Sequence, residues 1–170
     1  MKNNFFSAKR LCRVGVIAAL YTALTYAFGW MSFGPFQIRP SEAFCLLPLL
    51  FPESVLSLFI GCALSNIASP FGFWDIALGS LTTLLAALCT YFIGKAVKNE
   101  WAKLVFGGIF PVLFNALIIP LIMLLLYDGA GEVAFAAYLL QAGSIFLTQF
   151  IWVYGLGIPL YFTVKKLSKW

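Results

Sequence analysis

The chain has 170 residues and a net charge of +5; 62% of its residues are hydrophobic, 10% are charged and none is histidine. A soluble domain carries about a quarter charged residues, so this composition is typical of an integral membrane protein, with room for about six helical crossings. The absence of histidine excludes Ser-His-Asp and Cys-His catalysis and removes the commonest protein ligand for metals.

The cysteines and the basic residues give no sign of a metal, a nucleotide or a nucleic acid. Four cysteines stand singly in apolar segments, at Cys12, Cys45, Cys62 and Cys89. We interpret them as small apolar residues at helix interfaces and predict neither a metal site nor another cofactor. No G-x-x-x-x-G-K-[ST] motif is present, so the chain carries no P-loop of its own. The basic residues form short clusters between apolar stretches, which indicates membrane topology and no nucleic-acid partner.

Apolar segments separated by basic clusters and prolines predict an all-α membrane protein: a six-transmembrane-helix bundle in a single domain, residues 1–170. The predicted spans, in chain order, are residues 11–31, 41–51, 54–69, 74–94, 104–126 and 133–164. The first could be mistaken for a signal peptide, but nothing downstream resembles a secreted domain. We therefore treat it as the first crossing.

The apolar stretch 41–69 decides the topology, because Pro52 divides it. If the stretch crossed once, the lysines of residues 95–103 would lie outside, against the positive-inside rule. A hairpin bent at Pro52 places every basic cluster and both termini in the cytoplasm, and we predict the hairpin. Its first arm, residues 41–51, would be only about 16 Å long as an α-helix, so neighbouring helices must shield it.

The first candidate for a functional group is the tetrapeptide Arg39-Pro40-Ser41-Glu42. Arg39 and Glu42 are three residues apart at the predicted outer start of the second span, and therefore on one face of a helix. A helix cap explains Ser41 and Glu42, but it does not explain Arg39. An ionisable residue beside a short, shielded membrane helix is a functional hypothesis.

A second group flanks the next outer loop. Asn66 lies near the end of the third span, and Trp74 and Asp75 begin the fourth. Asp75 could equally be a helix cap, and Trp74 could belong to an interfacial aromatic belt or stack on a flat ring.

Three amides lie deeper in apolar sequence: Asn115, Gln141 and Gln149. Each could simply form a hydrogen bond between helices. Gln141 lies nearer the predicted outer face than Gln149 and is the better site candidate. Together with the outer groups, these residues predict a small-molecule pocket with apolar walls and a few convergent polar groups. A membrane protein that binds a solute fits this pattern better than an autonomous pump.

The first span carries small residues at a regular spacing of four, namely Ala19, Ala23 and Ala27. Such a stripe permits close approach of another helix. It usually marks packing within one chain, but it could also be a surface on which a partner protein docks.

Several segments resemble the QueT family. They are residues 33–43 (FGPFQIRPSEA), 46–53 (LLPLLFPE) and 74–84 (WDIALGSLTTL), with shorter similarities at Asn66 and Asn115. Members of this family are the substrate-binding S-components of energy-coupling factor (ECF) transporters assigned to queuosine precursors. The resemblance extends over nearly the whole chain.

The resemblance implies a protein of the prokaryotic cytoplasmic membrane that captures a 7-deazaguanine base, such as the 7-cyano or 7-aminomethyl base, from outside. Its partners would be a transmembrane scaffold and two ABC-type ATPases, and the alanine stripe would dock on the scaffold. Glu42 or Asp75 would accept hydrogen bonds from the base, and Asn66, Asn115 or Gln141 would read its carbonyl. No catalytic residue is implied, and the protein would not be an enzyme.

Three alternatives remain at this stage. The chain could be an S-component for another flat solute, such as thiamine or a pterin. It could be a small membrane enzyme, which would need clustered acidic residues on the cytoplasmic side, where we predict only Glu53 and Glu100. It could also be a scaffold protein without a ligand, against which the outer polar residues argue.

Overall fold

The computed structural model describes residues 7–34, 36–70, 72–126 and 132–168, and these residues are almost entirely helical, without a strand among them. The predicted all-α fold is therefore confirmed. The first helix of the described residues is α1 (Ala8–Ala27), which is followed by a single turn, α2 (Gly29–Ser32), and then by a 3-10 helix (Pro40–Leu49).

The remaining helices form a bundle around this 3-10 helix. They are α3 (Ser54–Asn66), a π-helical turn (Asp75–Gly79) that leads into α4 (Ser80–Ala96), α5 (Glu100–Leu126), α6 (Glu132–Phe150), and a second π-helical turn (Ile151–Leu156) that leads into α7 (Gly157–Leu167). Consecutive helices pack against each other from α3 to α6, and α1 packs against α3.

The 3-10 helix lies at the centre of the bundle, where α1, α4, α5 and α7 surround it. Pro40 fits its first turn, where a fixed φ is favourable and no amide hydrogen is needed. All residues from Pro40 to Pro48 are buried. Phe44 and Leu47 pack against α1 and α3, whereas Leu46 packs toward α5 and the last helices. The expected shielding of the short second segment is therefore present in the structure.

The geometry of this segment differs from the α-helix on which its expected length was based. Ten residues at the 3-10 rise of about 2.0 Å extend over about 20 Å, more than the same number would as an α-helix. Runs longer than three or four residues are uncommon in this conformation. Tertiary burial on all sides supports it here.

The two ends of the bundle differ in character. At one end, Arg13 of α1 forms an ion pair with Glu53, just before α3, and Lys165 of α7 forms one with Glu100 at the start of α5. We call this the basic end. The described part of the chain starts and finishes near it. The opposite end, where α3 finishes at Asn66 and the π-helical turn begins at Asp75, is called the polar end.

Three helical segments of the described residues are long and apolar enough to cross a membrane: Asp75–Ala96, Glu100–Ile122 and Phe135–Leu167. The apolar helix Ser54–Asn66 is shorter. Helix α1 is less apolar because its first two turns carry basic residues. Six crossings and cytoplasmic termini therefore remain predictions, while a membrane protein with several apolar helices is established.

Candidate ligand-binding site

Glu42 is a buried carboxylate whose two oxygens accept three hydrogen bonds. Tyr21 Oη of α1 donates to Oε1 at 2.8 Å. Cys45 Sγ donates to Oε2 at 3.0 Å, and Asn115 Nδ2 of α5 donates to the same oxygen at 3.4 Å. Glu42 thus joins α1 and α5 to the central 3-10 helix.

The local structure explains why these donors meet. In a 3-10 helix, residues three apart are eclipsed, so Cys45 lies directly over Glu42. Tyr21 belongs to the buried face of α1 together with Thr25, whose hydroxyl is 2.8 Å from that of Ser41.

Arg39 and Asp75 form a second, looser part of the site, and both are buried. Arg39 Nε donates to the carbonyl oxygen of Ser32 at 3.2 Å, and its guanidinium lies 5.5 Å from the ring centre of Phe33. Arg39 Nη2 is 3.8 Å from Asp75 Oδ2. This separation gives charge attraction, but it is too long for a hydrogen bond.

Asn66, the last residue of α3, links this helix to the π-helical turn by a hydrogen bond. Its Nδ2 donates to the backbone oxygen of Asp75 at 2.9 Å and lies 3.5 Å from Cys62 Sγ. Asn66 Oδ1 and Asp75 Oδ2 are both buried without a hydrogen-bond partner. Such groups are rare in folded proteins, because an unpaired buried acceptor costs about 1–3 kcal/mol.

The structure therefore brings together five of the predicted site residues at the polar end. They are Arg39, Glu42, Asn66, Asp75 and Asn115, which we call the polar cluster; all five are buried. Arg39 precedes the first turn of the 3-10 helix with an extended backbone, and its carbonyl oxygen accepts from the backbone N–H of Glu42 at 3.1 Å. The cluster offers carboxylate and amide oxygens as acceptors, and a guanidinium as a donor.

Two other predicted residues lie apart from these contacts. Trp74 is half exposed and packs edge-on against Phe73, with ring centres 5.9 Å apart. Gln141 is partly exposed on α6. The bonds described above do not reach either side chain. Gln149, which the sequence made the weaker candidate, is instead buried, and its Oε1 lacks a partner.

Sequence reasoning missed Tyr21 and Cys45 as parts of the site. A tyrosine in the middle of an apolar span was a usable signal for Tyr21, since a buried hydroxyl needs a partner. The spacing of three between Glu42 and Cys45 becomes informative only once the segment is known to be a 3-10 helix.

The alanine stripe lies on the opposite face of α1 from the buried Tyr21. Ala19, Ala23 and Ala27 are all exposed. Their small side chains leave a smooth strip of the surface, on which another helix can approach closely.

A separate groove of about 320 Å³ lies between α1, the 3-10 helix and α7. Its lining is almost wholly apolar: Leu24, Pro40, Ala43, Phe44, Leu156, Pro159, Leu160 and Thr163. None of the polar cluster lines it, so it lacks the groups needed to recognise a polar solute.

Apolar helices of membrane-spanning length first define the class, an all-helical membrane protein with several apolar helices. Comparison of the sequence then gives the family: the chain belongs to the QueT transporter family, whose sequence model matches residues 11–166. The resemblance found in the sequence is therefore confirmed.

One related protein is the "Queuosine precursor transporter QueT" of Lactococcus lactis subsp. cremoris (strain MG1363). The two sequences are 35% identical over 74 residues, which is 42% of this chain and 43% of the relative. The match thus spans less than half of the relative's length. No solved structure matches the chain.

Proposed function

We propose that this chain is the substrate-binding subunit of an ECF-type importer in a prokaryotic cytoplasmic membrane. It captures a queuosine precursor, a 7-deazaguanine base, from outside and delivers it inward with an ATPase module. The observation that carries this proposal is the polar cluster, a set of buried carboxylates and amides at one end of an apolar helical bundle. The name of the Lactococcus relative supports the substrate class.

The chemistry of the cluster suits a base of this kind. A 7-deazaguanine presents a ring N–H and an exocyclic amine side by side, next to a carbonyl. Carboxylate and amide oxygens accept from the two donors, while a guanidinium or amide nitrogen can donate to the carbonyl. The polar end provides all of these groups within a mostly apolar surrounding, which is the usual composition of a small-molecule site.

Coupling to a scaffold and two ABC-type ATPases is the second part of the proposal. The exposed stripe Ala19, Ala23 and Ala27 supports it, because a smooth helix face is suited to docking against a scaffold helix. The stripe faces away from the polar cluster, so docking and substrate binding use different surfaces of α1.

Binding of tritiated 7-cyano-7-deazaguanine to the detergent-purified protein tests the substrate. We expect saturable binding that unlabelled 7-aminomethyl base displaces and that thiamine and pterin do not. The triple variant Glu42→Ala, Asp75→Ala and Asn115→Ala should lose it, whereas Leu117→Ala, an exposed position on the same helix as Asn115, should keep it. Binding that survives the triple substitution contradicts the site, and displacement by thiamine or a pterin contradicts the substrate.

Uptake in cells that also produce the scaffold and the ATPases tests the coupling. Ala23→Trp places a large side chain in the middle of the stripe and should reduce uptake at least about tenfold without changing binding to the purified subunit. Leu85→Trp, at an exposed position of α4, is the matched control. Equal uptake by Ala23→Trp and the control would rule out docking through this face.

A further inference from the structure

The two carboxylates of the polar cluster differ in how many of their oxygens are hydrogen-bonded. Three hydrogen bonds from Tyr21, Cys45 and Asn115 occupy both oxygens of Glu42. Asp75 Oδ2, in contrast, has no hydrogen-bond partner, and neither does Asn66 Oδ1. Asn66 is 0% exposed and Asp75 is 3% exposed, so bulk solvent does not reach these vacant acceptors.

The two vacant acceptors belong to side chains that lie next to each other. A Cβ atom placed on Gly79 would be 2.8 Å from Asn66 Nδ2 and 2.9 Å from Asp75 Oδ1. Both side chains therefore pack over the same glycine, one helical turn beyond Asp75. The bond from Asn66 Nδ2 to the backbone oxygen of Asp75 fixes the orientation of the amide and leaves Oδ1 as the vacant atom.

The charge at this place favours a neutral ligand edge. The guanidinium of Arg39, 3.8 Å from Asp75 Oδ2, balances the charge of the carboxylate without using its hydrogen-bonding capacity. A cationic group at the same place would be repelled by Arg39. Uncharged N–H donors are not repelled by Arg39, and they supply the hydrogen bonds that the two oxygens lack.

We propose that Asp75 and Asn66, packed over Gly79, form an acceptor pair that reads the donor edge of the base, while Glu42 is a positioning residue that does not touch it. This inference rests on the proposed function. The ring N–H and the exocyclic amine of a 7-deazaguanine are adjacent donors, and each would pair with one of the two vacant oxygens. The 7-substituent lies away from this edge.

Such a site is strongly selective, because an analogue that lacks one donor leaves a buried acceptor unpaired. Sites built to hydrogen-bond a substrate reject analogues without that group far better than apolar pockets reject a missing methylene. We expect the wild-type protein to bind 7-cyano-7-deazaguanine at least about 100-fold more tightly than its 2-desamino or N1-methyl analogue. The 7-cyano and 7-aminomethyl bases should bind within about tenfold of each other.

Equilibrium binding of these four compounds to purified variants tests the assignment. Asp75→Asn and Asn66→Ala should each weaken binding of the 7-cyano base about 100-fold and reduce the discrimination against the analogues to below about tenfold. Glu42→Gln should weaken all four compounds by a common factor and leave their ratios unchanged. This pattern separates a residue that reads the base from one that positions its neighbours.

Gly79→Ala provides an independent test. The added methyl group meets only the ends of two side chains, which can turn aside, so the protein should fold, but the acceptor pair is displaced and binding should be lost. Gly155→Ala is the matched control, because Gly155 also lies in a π-helical turn and a Cβ there has no atom within 4 Å. Melting temperatures of both variants show whether folding is retained.

The possible results separate this inference from the proposed function. If the wild type binds the base but Asp75→Asn and Asn66→Ala keep its affinity and its discrimination, the acceptor pair is wrong and the transporter assignment stands. If Glu42→Gln changes the ratios, Glu42 reads the base and the division of roles is wrong. If the wild type binds none of the four compounds, the proposed substrate fails and this inference fails with it.

Discussion

The two ends of the bundle both contain a buried carboxylate beside an arginine, but the contacts between carboxylate and arginine differ. At the basic end, Glu53 is hydrogen-bonded to Arg13, whose guanidinium also lies 4.0 Å from the ring centre of Phe51. At the polar end, Asp75 and Arg39 remain 3.8 Å apart, with an oxygen of Asp75 unpaired. The first arrangement joins two helices, whereas the second leaves capacity for a further partner.

Unpaired atoms alone do not distinguish the ends, because Ser54 Oγ near the basic end also lacks a partner. That group is a neutral hydroxyl, however, and leaving it unpaired costs less than leaving a carboxylate oxygen unpaired. The combination of a vacant charged acceptor, a vacant amide oxygen on a neighbouring side chain and a nearby cation is what sets the polar end apart. Three substitutions test whether the polar contacts at the two ends also differ in how much they contribute to the free energy of unfolding.

The largest effect on stability is expected for Glu42→Leu. The substitution keeps the size of the side chain but removes the carboxylate that accepts from three buried donors. The free energy of unfolding should therefore fall by about 3–5 kcal/mol. Unfolding in detergent micelles titrated with SDS measures this, with Leu117→Ala as a control at an exposed position. A loss below about 1 kcal/mol would mean that Glu42 does not hold α1 and α5 to the central helix.

A smaller effect is expected for Arg13→Met at the basic end. Glu53 would become an unpaired buried carboxylate, but Arg13 is itself partly exposed, so the expected loss is about 2 kcal/mol. The second substitution Glu53→Gln should recover at least half of that loss, because it removes the uncompensated charge. Absence of recovery in the same micelle titration would assign the loss to other contacts of Arg13, such as that with Phe51.

The smallest effect is expected for Lys165→Met. The side chains of Lys165 and Glu100 are 34% and 37% exposed, and exposed ion pairs contribute only about 0–1 kcal/mol. Any difference from the wild type should disappear at 1 M salt, where the screening length is about 3 Å. A loss that persists at high salt would show that this pair is more important to the basic end than its exposure indicates.

Much of the polar end could be predicted from the sequence. The spacing of Arg39 and Glu42 placed them together, and the short loop between Asn66 and Asp75 placed those two residues at the ends of successive helices. These are local relations, which depend only on helix geometry and chain connectivity. Apolar segments separated by basic clusters predicted the all-helical fold, and the resemblance of residues 33–43, 46–53 and 74–84 indicated the family.

Other features depend on tertiary packing and could not be read from the chain. The choice of a 3-10 helix for residues 40–49 depends on burial from every side, and it decides which residue lies over Glu42. Gln141 and Gln149 are eight residues apart on nearly the same helical stripe, so periodicity could not show which one is buried. From its sequence neighbourhood, Trp74 could belong to an interfacial aromatic belt or to the binding site. The packing of neighbouring residues leaves it half exposed in the structure.

The π-helical turn Asp75–Gly79 makes the polar end sensitive to where a residue is inserted or deleted. A π turn holds about one residue more than an α turn, so deletion of one residue within it would restore an ordinary helix and leave the flanking residues facing nearly their original directions. The same deletion within α4 would rotate Asp75 by about 100° relative to the helical turns that follow the deletion and shorten the segment by only about 1.5 Å. Membrane-spanning length would hardly change in either case, but only the deletion within α4 would turn the carboxylate away from Arg39. Evolution of this region is therefore constrained in its helical phase more than in its length.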